Sequence, residues 1–245
     1  ANFDSAVTVT GTPRIQLTLD SGTVFADYAS GSGTTDIVFN YTVQSGDEDT
    51  NGITLTSTIE LNGGAIQDAS LNDAELDFTP QSNSVLVDGV APDSTSITPP
   101  ADGSYFTGEN LDFVVLFDGN VNVTGTPELP LTIGSTTRNA SYISGNGTNT
   151  LTFRYTIQSA DQDVDGITVD PASITGTITD AAGNAADFSS TPTPSTAAVI
   201  VNPVIINSVT PSADGDYTEG DTIALTANFD SAVTVTGTPR IQLTL

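Results

Sequence analysis

Residues 151–157 read LTFRYTI, and this stretch decides the fold because its apolar and polar residues alternate strictly. The leucine, phenylalanine, tyrosine and isoleucine fall on one face, and the two threonines and Arg154 fall on the other. A period of two residues is typical of a β-strand with one buried and one solvated face. Residues 15–19 (IQLTL) and 121–123 (VNV) alternate in the same way. No window sustains a helical period, and 22 glycines and 13 prolines interrupt the chain, so the sequence predicts an all-β fold.

The chain repeats its own sequence. Residues 1–19 (ANFDSAVTVTGTPRIQLTL) are identical to residues 227–245, which gives a long period of 226 residues (227 − 1). A weaker copy begins halfway, because Phe117 follows Phe3 by 114 residues (117 − 3) and VNVTGTP there matches VTVTGTP. Later strands and loops match in the same order, so each unit is about one sandwich domain long.

These repeats suggest three parts. Residues 1–90 are repeat A with its first strand missing, residues 91–202 are repeat B, and residues 203–245 are the start of the next repeat A. Because the pattern is already under way at the first residue, we expect the chain to be an internal piece of a longer array. Seven or more short strands in a unit of this size predict an immunoglobulin-type sandwich. The predicted fold class is therefore all-β, with tandem immunoglobulin-like Greek-key β-sandwich domains in an extended array.

Strand positions in repeat B follow from the same alternation. Phe3, Phe117 and Phe229 stand at corresponding places, and we expect all three to fill the sandwich cores. We predict strands near residues 97–99, 111–117, 121–123, 128–133, 138–143, 150–157, 167–174, 177–179 and 197–201.

The charge of the chain is strongly negative. Asp and Glu number 30 against four basic residues, for a formal net charge of −26, and lysine is absent. Such a surface repels phosphate backbones and anionic lipid, so we expect no nucleic-acid partner and no binding to membranes. No apolar run is long enough for membrane insertion. The same surface attracts cations.

The sequence lacks the residues that several kinds of chemistry require. Without cysteine there are no disulfides, and without lysine there are no Lys–Asn cross-links. Histidine, the commonest general base, is also absent. Only carboxylate pairs remain for acid–base catalysis, so we predict that the chain is not an enzyme.

One motif has the spacing of a metal site. DEDTNG at residues 47–52 and DQDVDG at residues 161–166 both fit D-x-D-x-[DN]-G, the first half of an EF-hand calcium loop. Ca²⁺ takes six to eight oxygen ligands, and alternate residues of a tight loop direct side chains to one centre. An acidic, solvated hairpin loop is the alternative interpretation. The candidate calcium ligands are Asp47, Asp49, Asn51, Asp161, Asp163 and Asp165.

The closing glutamate of an EF-hand is missing, because Thr58 and Ala172 stand at position twelve. Asp170, Glu60 or an adjacent loop could supply the remaining ligands. We expect bound metal to stiffen the joint between successive domains. The DAAGN run at residues 180–184 and its counterpart DASLN at 68–72 are instead predicted to be turns, because Asp and Asn side chains cap their own backbone.

The chain resembles the bacterial immunoglobulin-like repeats of very large surface and secreted proteins. The resemblance rests on V-T-G-T-P-x-[IL]-x-L, A-x-Y-x-S-G-x-G-T and F-x-Y-T-[VI]-Q-S-x-D-x-D, followed by the D-x-x-G-N turn. It covers essentially the whole chain, although residues 71–72 of the first unit read Leu-Asn where the family has Gly-Asn. Calcium-dependent adhesin extender modules belong to this group. The resemblance implies an extracellular or cell-surface location, domain strings stiffened by calcium, and a spacer role.

Three functions are compatible with these observations. The first is a structural extender, or spacer, of a large bacterial surface adhesin or extracellular fibre, with neighbouring repeats as its partners. The second is a subunit of a self-assembling extracellular filament formed by strand donation, since the first unit lacks a strand that the end of the chain carries. The third is a carbohydrate-binding module, which would need exposed aromatic residues, although tryptophan is absent.

Overall fold

A computed structural model describes residues 1–202, 205–229 and 232–243. Regular structure in these residues is almost entirely β, which confirms the all-β prediction. The one helix in the described part of the chain is a 3₁₀-helix of three residues, Pro171–Ser173, so no helical membrane span is present there. The immunoglobulin-like Greek-key arrangement stays a prediction.

The described chain forms two compact units. The first contains Ala1–Asp93 together with two short pieces, Gly119–Asn122 and Ile178–Asp187. The second contains the other described residues. The domain limits predicted at residues 90 and 202 remain predictions.

In the first unit, the strands belong to small antiparallel sheets. These strands are β1 Asn2–Thr10, β2 Arg14–Leu19, β3 Gly22–Ser30, β4 Thr34–Asp36, β5 Val38–Asn40, β6 Glu48–Asp49, β7 Thr54–Leu55, β8 Ala65–Gln67 and β9 Val87–Asp88. One sheet has the order β5-β3-β2-β7, a second has the order β4-β1-β8, and β6 pairs with β9.

The later strands are β10 Ser94–Thr98, β11 Gly103–Tyr105, β12 Asn110–Ile133, β13 Thr136–Ser144, β14 Thr148–Thr156, β15 Thr168–Val169, β16 Thr175–Thr179, β17 Val199–Val201, β18 Ile206–Pro211 and β19 Leu225–Phe229. The long strand β12, most of which belongs to the second unit, pairs with β10, β13, β14, β15 and β16, while β11 lies parallel to β17. A separate hairpin, β18–β19, follows.

Two of the predicted strand patterns are wrong. The segments 111–117, 121–123 and 128–133 are one continuous strand, β12, which passes through Gly125 at a φ of 77° that glycine adopts readily. The segment 167–174 is a strand only at β15, and the chain then enters the 3₁₀-helix at Pro171. The fixed φ of proline suits the first turn of a helix, and its missing N–H cannot extend a sheet.

The alternation in residues 151–157 is confirmed by burial. Leu151, Phe153, Tyr155 and Ile157 are buried, whereas Arg154 and the two threonines are exposed or half-buried. Strand β14 therefore presents one face to the core of the second unit.

The three repeated phenylalanines have three different environments. Phe117 is buried in the second unit, as predicted. Phe3 is half-buried against the core of the first unit. The prediction for Phe229 is wrong, because this residue is exposed at the end of the β18–β19 hairpin. A two-stranded hairpin has no second layer that could cover its apolar residues.

The two units differ in how completely their cores are closed. Phe153 in the second unit is 0% exposed, whereas Phe39, which stands 114 residues earlier, is only half-buried. We predict that Phe153→Ala lowers the free energy of unfolding of the second unit by about 3–5 kcal/mol. Phe39→Ala should cost the first unit less, because less contact area is lost. Chemical denaturation of both variants measures the difference, and equal losses would contradict an open core in the first unit.

Candidate functional site

The first aspartate of the loop at residues 161–166, called loop B, is buried and fully engaged. Asp161 is 2% exposed. Its Oδ1 accepts hydrogen bonds from Arg138, with Nε and Nη2 each at 2.8 Å. Its Oδ2 accepts from the Tyr155 hydroxyl at 2.5 Å and from the Gln158 backbone N–H at 2.8 Å. These donors use the lone pairs that a carboxylate offers.

The surroundings of Asp161 shift two pKa values in opposite directions. Burial raises the pKa of Asp161, but hydrogen bonds from Tyr155, Gln158 and Arg138 outweigh burial and hold that pKa below its usual value. Burial, assisted by the hydrogen bond to the Asp161 carboxylate, raises the pKa of Tyr155 to about 12. The ionised aspartate and the neutral tyrosine therefore stabilise each other in the folded unit.

The second aspartate of loop B holds the turn together. Asp163 is 5% exposed, and its Oδ1 accepts from the backbone N–H of Gly166 at 2.8 Å. Its Oδ2 accepts from the backbone N–H of Gly134 at 2.6 Å. Gly166 has a φ of 103°, and a Cβ there would overlap the backbone of Ala197. The glycine of the motif is thus required by backbone conformation and close packing. Asp165, the third candidate ligand, is exposed.

The loop at residues 47–52, called loop A, has the same frame. Asp47 Oδ2 accepts from the Tyr41 hydroxyl at 2.5 Å and from the Gln44 N–H at 2.7 Å. The buried Asp49 accepts from the Gly52 N–H at 2.6 Å through Oδ1. The hydrogen bond to Asp47 raises the pKa of Tyr41. In both loops, therefore, a tyrosine six residues earlier supports the first aspartate, and the motif glycine supports the second.

Two differences separate the loops. Arg138, which bonds Asp161, lies opposite Leu131 in its sheet. The corresponding pair in the first unit is Val24 opposite Leu17, so a valine holds the position of this arginine in the unit that contains loop A. In loop A, the Asn51 side-chain amide donates to Asp20 Oδ1 at 2.7 Å. Asp20 Oδ2 also accepts from the N–H and the hydroxyl of Thr50 at 2.8 Å, and these bonds lower the pKa of Asp20.

Sequence reasoning missed four of these partners: Tyr41, Tyr155, Arg138 and Asp20. The tyrosines carry a signal, because both copies keep Tyr at six residues before the first Asp of the loop. Arg138 and Asp20 occur in one copy each, so comparison of the two copies gives no indication of them.

The fit of the candidate ligands to calcium can be tested by the donors around them. Among the described residues, no group of three or more Asp, Glu, His or Cys is placed to share an ion. A cation at Asp161 would have to displace the guanidinium of Arg138, so in this arrangement Asp161 does not fit the role of a calcium ligand. In the first unit the position of Arg138 is held by Val24. Calcium binding at the other five candidate residues stays a prediction, and loop A fits it better than loop B.

The residues considered as additional ligands are engaged elsewhere. Glu60 pairs with Arg14 at 2.9 Å. Asp170 accepts a hydrogen bond from the Ser173 hydroxyl at 2.6 Å, at the start of the 3₁₀-helix. These contacts favour structural roles for both carboxylates.

The acidic turns predicted at residues 68–72 and 180–184 do cap their own backbone. Asp68 Oδ1 accepts from the N–H groups of Ser70 and Asn72. Asp180 Oδ1 accepts from the N–H groups of Gly183 and Asn184. Both aspartates therefore act as turn formers.

Comparisons with protein-family models, with curated proteins and with solved structures each find no match.

The ion pair at Asp161 should be the costliest one to remove. We predict that Arg138→Val, which reproduces the residue of the first unit, lowers the free energy of unfolding by about 1.5–3 kcal/mol, because a buried carboxylate loses charged donors. Arg154→Val is the matched control, since its pair with Asp112 is about 40% exposed on both sides and should contribute less than about 1 kcal/mol. Urea denaturation measures both values. Equal effects would contradict a special role for Arg138.

Stability should also fall in alkaline solution. A tyrosine whose folded pKa is about 12, above its unfolded value of about 10, contributes stability that is complete below pH 10 and is lost as the pH rises to 12. We predict that the unfolding free energy of the second unit declines across this window, and that Tyr155→Phe makes the decline shallower. Denaturation at a series of pH values tests this, and an identical slope in the variant would contradict it.

Proposed function

We propose that this chain is a spacer segment of a repetitive extracellular surface protein, built from immunoglobulin-like Greek-key β-sandwiches in tandem. The observation that carries the proposal is the recurrence of one hydrogen-bonded loop frame at a spacing of 114 residues. In each copy a tyrosine hydroxyl donates to the first loop aspartate, as in Tyr41 with Asp47 and Tyr155 with Asp161. In each copy the motif glycine donates to the second aspartate. Repetition of a framework, with variation at the surface, is typical of extended proteins built from stacked repeats.

The alternative functions have less support. Tyr41 and Tyr155 direct their hydroxyls at loop aspartates and lie partly or fully in the core, so neither offers a flat ring to a sugar. The loop aspartates act as acceptors for backbone and side-chain donors. This arrangement favours a structural role over acid–base catalysis.

The charge of the chain is consistent with an extended role. A net charge of −26 without a single lysine gives neighbouring copies a mutual repulsion that opposes collapse and aggregation. That property suits a spacer more than a module that must close around a ligand.

Calcium belongs to the proposal at loop A. There, Asp47 and Asn51 lie near the surface, and Asp20 adds a carboxylate that already bonds Asn51. In loop B, Arg138 supplies internally the positive charge that an ion would bring to Asp161. In this proposal, the first loop aspartate is neutralised by a calcium ion in the first unit and by Arg138 in the second.

The spacer role is tested by chains that contain one, two and three copies of the 226-residue period. We expect their longest dimension, measured by small-angle X-ray scattering, to grow in proportion to copy number. A dimension that stays nearly constant would contradict the proposal.

Calcium is tested on the same samples by calorimetry with Ca²⁺ and then with chelator. A free Ca²⁺ concentration one hundred times the Kd should raise the free energy of unfolding of the binding unit by about 2.7 kcal/mol. Asp47→Asn should remove this gain, and Asp161→Asn should destabilise the second unit without altering the calcium response. A melting curve that does not respond to the ion would overturn the calcium part and leave the spacer role standing.

A further inference from the structure

The chain contains three Asn-Gly pairs, which begin at Asn51, Asn62 and Asn146. Asparagine before glycine is prone to spontaneous deamidation, because glycine has no side chain that hinders attack of its backbone nitrogen on the asparagine carboxamide. The reaction needs a carboxamide that can turn, a backbone nitrogen that is free to approach it, and open space around both. The structure distinguishes the three pairs in these respects.

The pair that begins at Asn51, in loop A, is held at both reacting groups. The Asn51 side-chain amide donates to Asp20 Oδ1 at 2.7 Å, and the Gly52 backbone N–H donates to Asp49 Oδ1 at 2.6 Å. A Cβ on Gly52 would lie 2.8 Å from the carbonyl oxygen of Asn83, so the surroundings are tight. The two carboxylates also disfavour loss of the Gly52 amide proton, which must precede the attack.

The pair that begins at Asn146 is held through the asparagine alone. Its Oδ1 accepts from the Val123 backbone N–H at 2.6 Å, and its own backbone N–H donates to the Tyr142 hydroxyl at 2.9 Å. Gly147 is open, with no atom within 4 Å of the position that a Cβ would take. Turning the carboxamide towards Gly147 would take the acceptor away from the Val123 N–H, which opposes the reaction.

The pair that begins at Asn62 is the least restrained. Asn62 and Gly63 have φ values of 47° and 78°, and the Gly64 N–H donates to the Leu61 carbonyl at 2.8 Å, which defines a type I′ turn. The exposed Asn62 side chain donates to the carbonyl and the hydroxyl of Thr12, both at 3.2 Å, the long end of the range for such bonds. In the described part of the chain, the Gly63 N–H has no acceptor, and no atom lies within 4 Å of the place of its Cβ.

This turn occurs in only one of the two repeats of the chain. Tyr155 follows Tyr41 by 114 residues (155 − 41), but Asp180 follows Asp68 by 112 (180 − 68). The first repeat therefore has two additional residues between these points, in the interval that contains Asn62. The matching interval of the second repeat contains no Asn-Gly pair.

We propose that Asn62 is the site at which this chain deamidates spontaneously. The Gly63 nitrogen, after losing its proton, attacks Asn62 Cγ, and the new C–N bond closes a succinimide ring. The carboxamide nitrogen leaves as ammonia and takes up the proton that Gly63 lost. Water then opens the ring at either carbonyl and leaves aspartate or isoaspartate at position 62. The inference goes beyond the spacer role and does not depend on it.

Either product weakens the contact between two turns of the first unit. The Asn62 amide donates to the Thr12 carbonyl, whereas a carboxylate has no donor and would face that carbonyl oxygen. Isoaspartate also adds a methylene to the backbone between Leu61 and Gly64. Gly64 is packed tightly, since a Cβ there would lie 2.1 Å from the Thr10 carbonyl oxygen. The reaction therefore loosens this turn and adds one negative charge in each 226-residue period.

Peptide mapping of the full chain, aged in mildly alkaline buffer, tests the proposal. Cleavage after glutamate separates Asn51 from Asn62, because Glu60 lies between them, and cleavage after arginine places Asn146 on the peptide 139–154. We expect the mass increase of an amide-to-acid conversion to accumulate severalfold faster at Asn62 than at the other two pairs. Isoaspartate should form part of the product at position 62.

Two controls separate the effect of structure from that of sequence. In guanidinium chloride the three pairs lose their hydrogen bonds, so their rates should converge. The variant Asn62→Gly keeps a residue that accepts the positive φ of the turn but removes the carboxamide. It should abolish the mass increase at this position and leave the slow rates at Asn51 and Asn146 unchanged.

Two results would overturn the proposal. One is a rate at Asn51 or Asn146 in the folded chain that equals or exceeds the rate at Asn62. The other is an unmodified Asn62 in the folded chain after a time in which the denatured chain is modified there.

Discussion

A strand with alternating apolar side chains is stable only when its apolar face is covered and its edge hydrogen bonds are made. The second unit meets both requirements through β12, which buries Leu111 and Phe113 and pairs with β14. In the first unit, Phe39 and Tyr41 stay half-buried.

The acidic loops are the second organising feature, and their carboxylates accept hydrogen bonds from donors of the chain itself. A buried carboxylate is costly unless donors surround it. Asp161 and Asp163 receive theirs from Arg138, Tyr155 and backbone N–H groups. The chain has only four basic residues, all arginines, and one of them, Arg138, pairs with the fully buried carboxylate of Asp161. The first unit lacks that arginine, which is why its loop is the better candidate for an external cation.

The strands and the loop frame are linked in sequence. Tyr155 belongs to the alternating stretch that builds β14, yet its hydroxyl reaches the loop six residues later. The ring closes the core while the hydroxyl fixes the turn, so one residue couples packing to loop geometry. The same holds for Tyr41 and Asp47 in the first unit. We expect loop and core to unfold together as a result.

By itself, the sequence determined the all-β class, the alternation of residues 151–157 and the turns at Asp68 and Asp180, because each depends on neighbours within a few positions. It also located the two D-x-D loops through their repetition. Only the tertiary structure decided what the loop aspartates bond to, since Arg138 and Tyr155 reach Asp161 from other strands. The same is true of β12, whose continuity past Gly125 depends on the strands beside it. It is true as well of Phe3, Phe117 and Phe229, whose identical side chains have different burial because only one of them has a complete second layer above it.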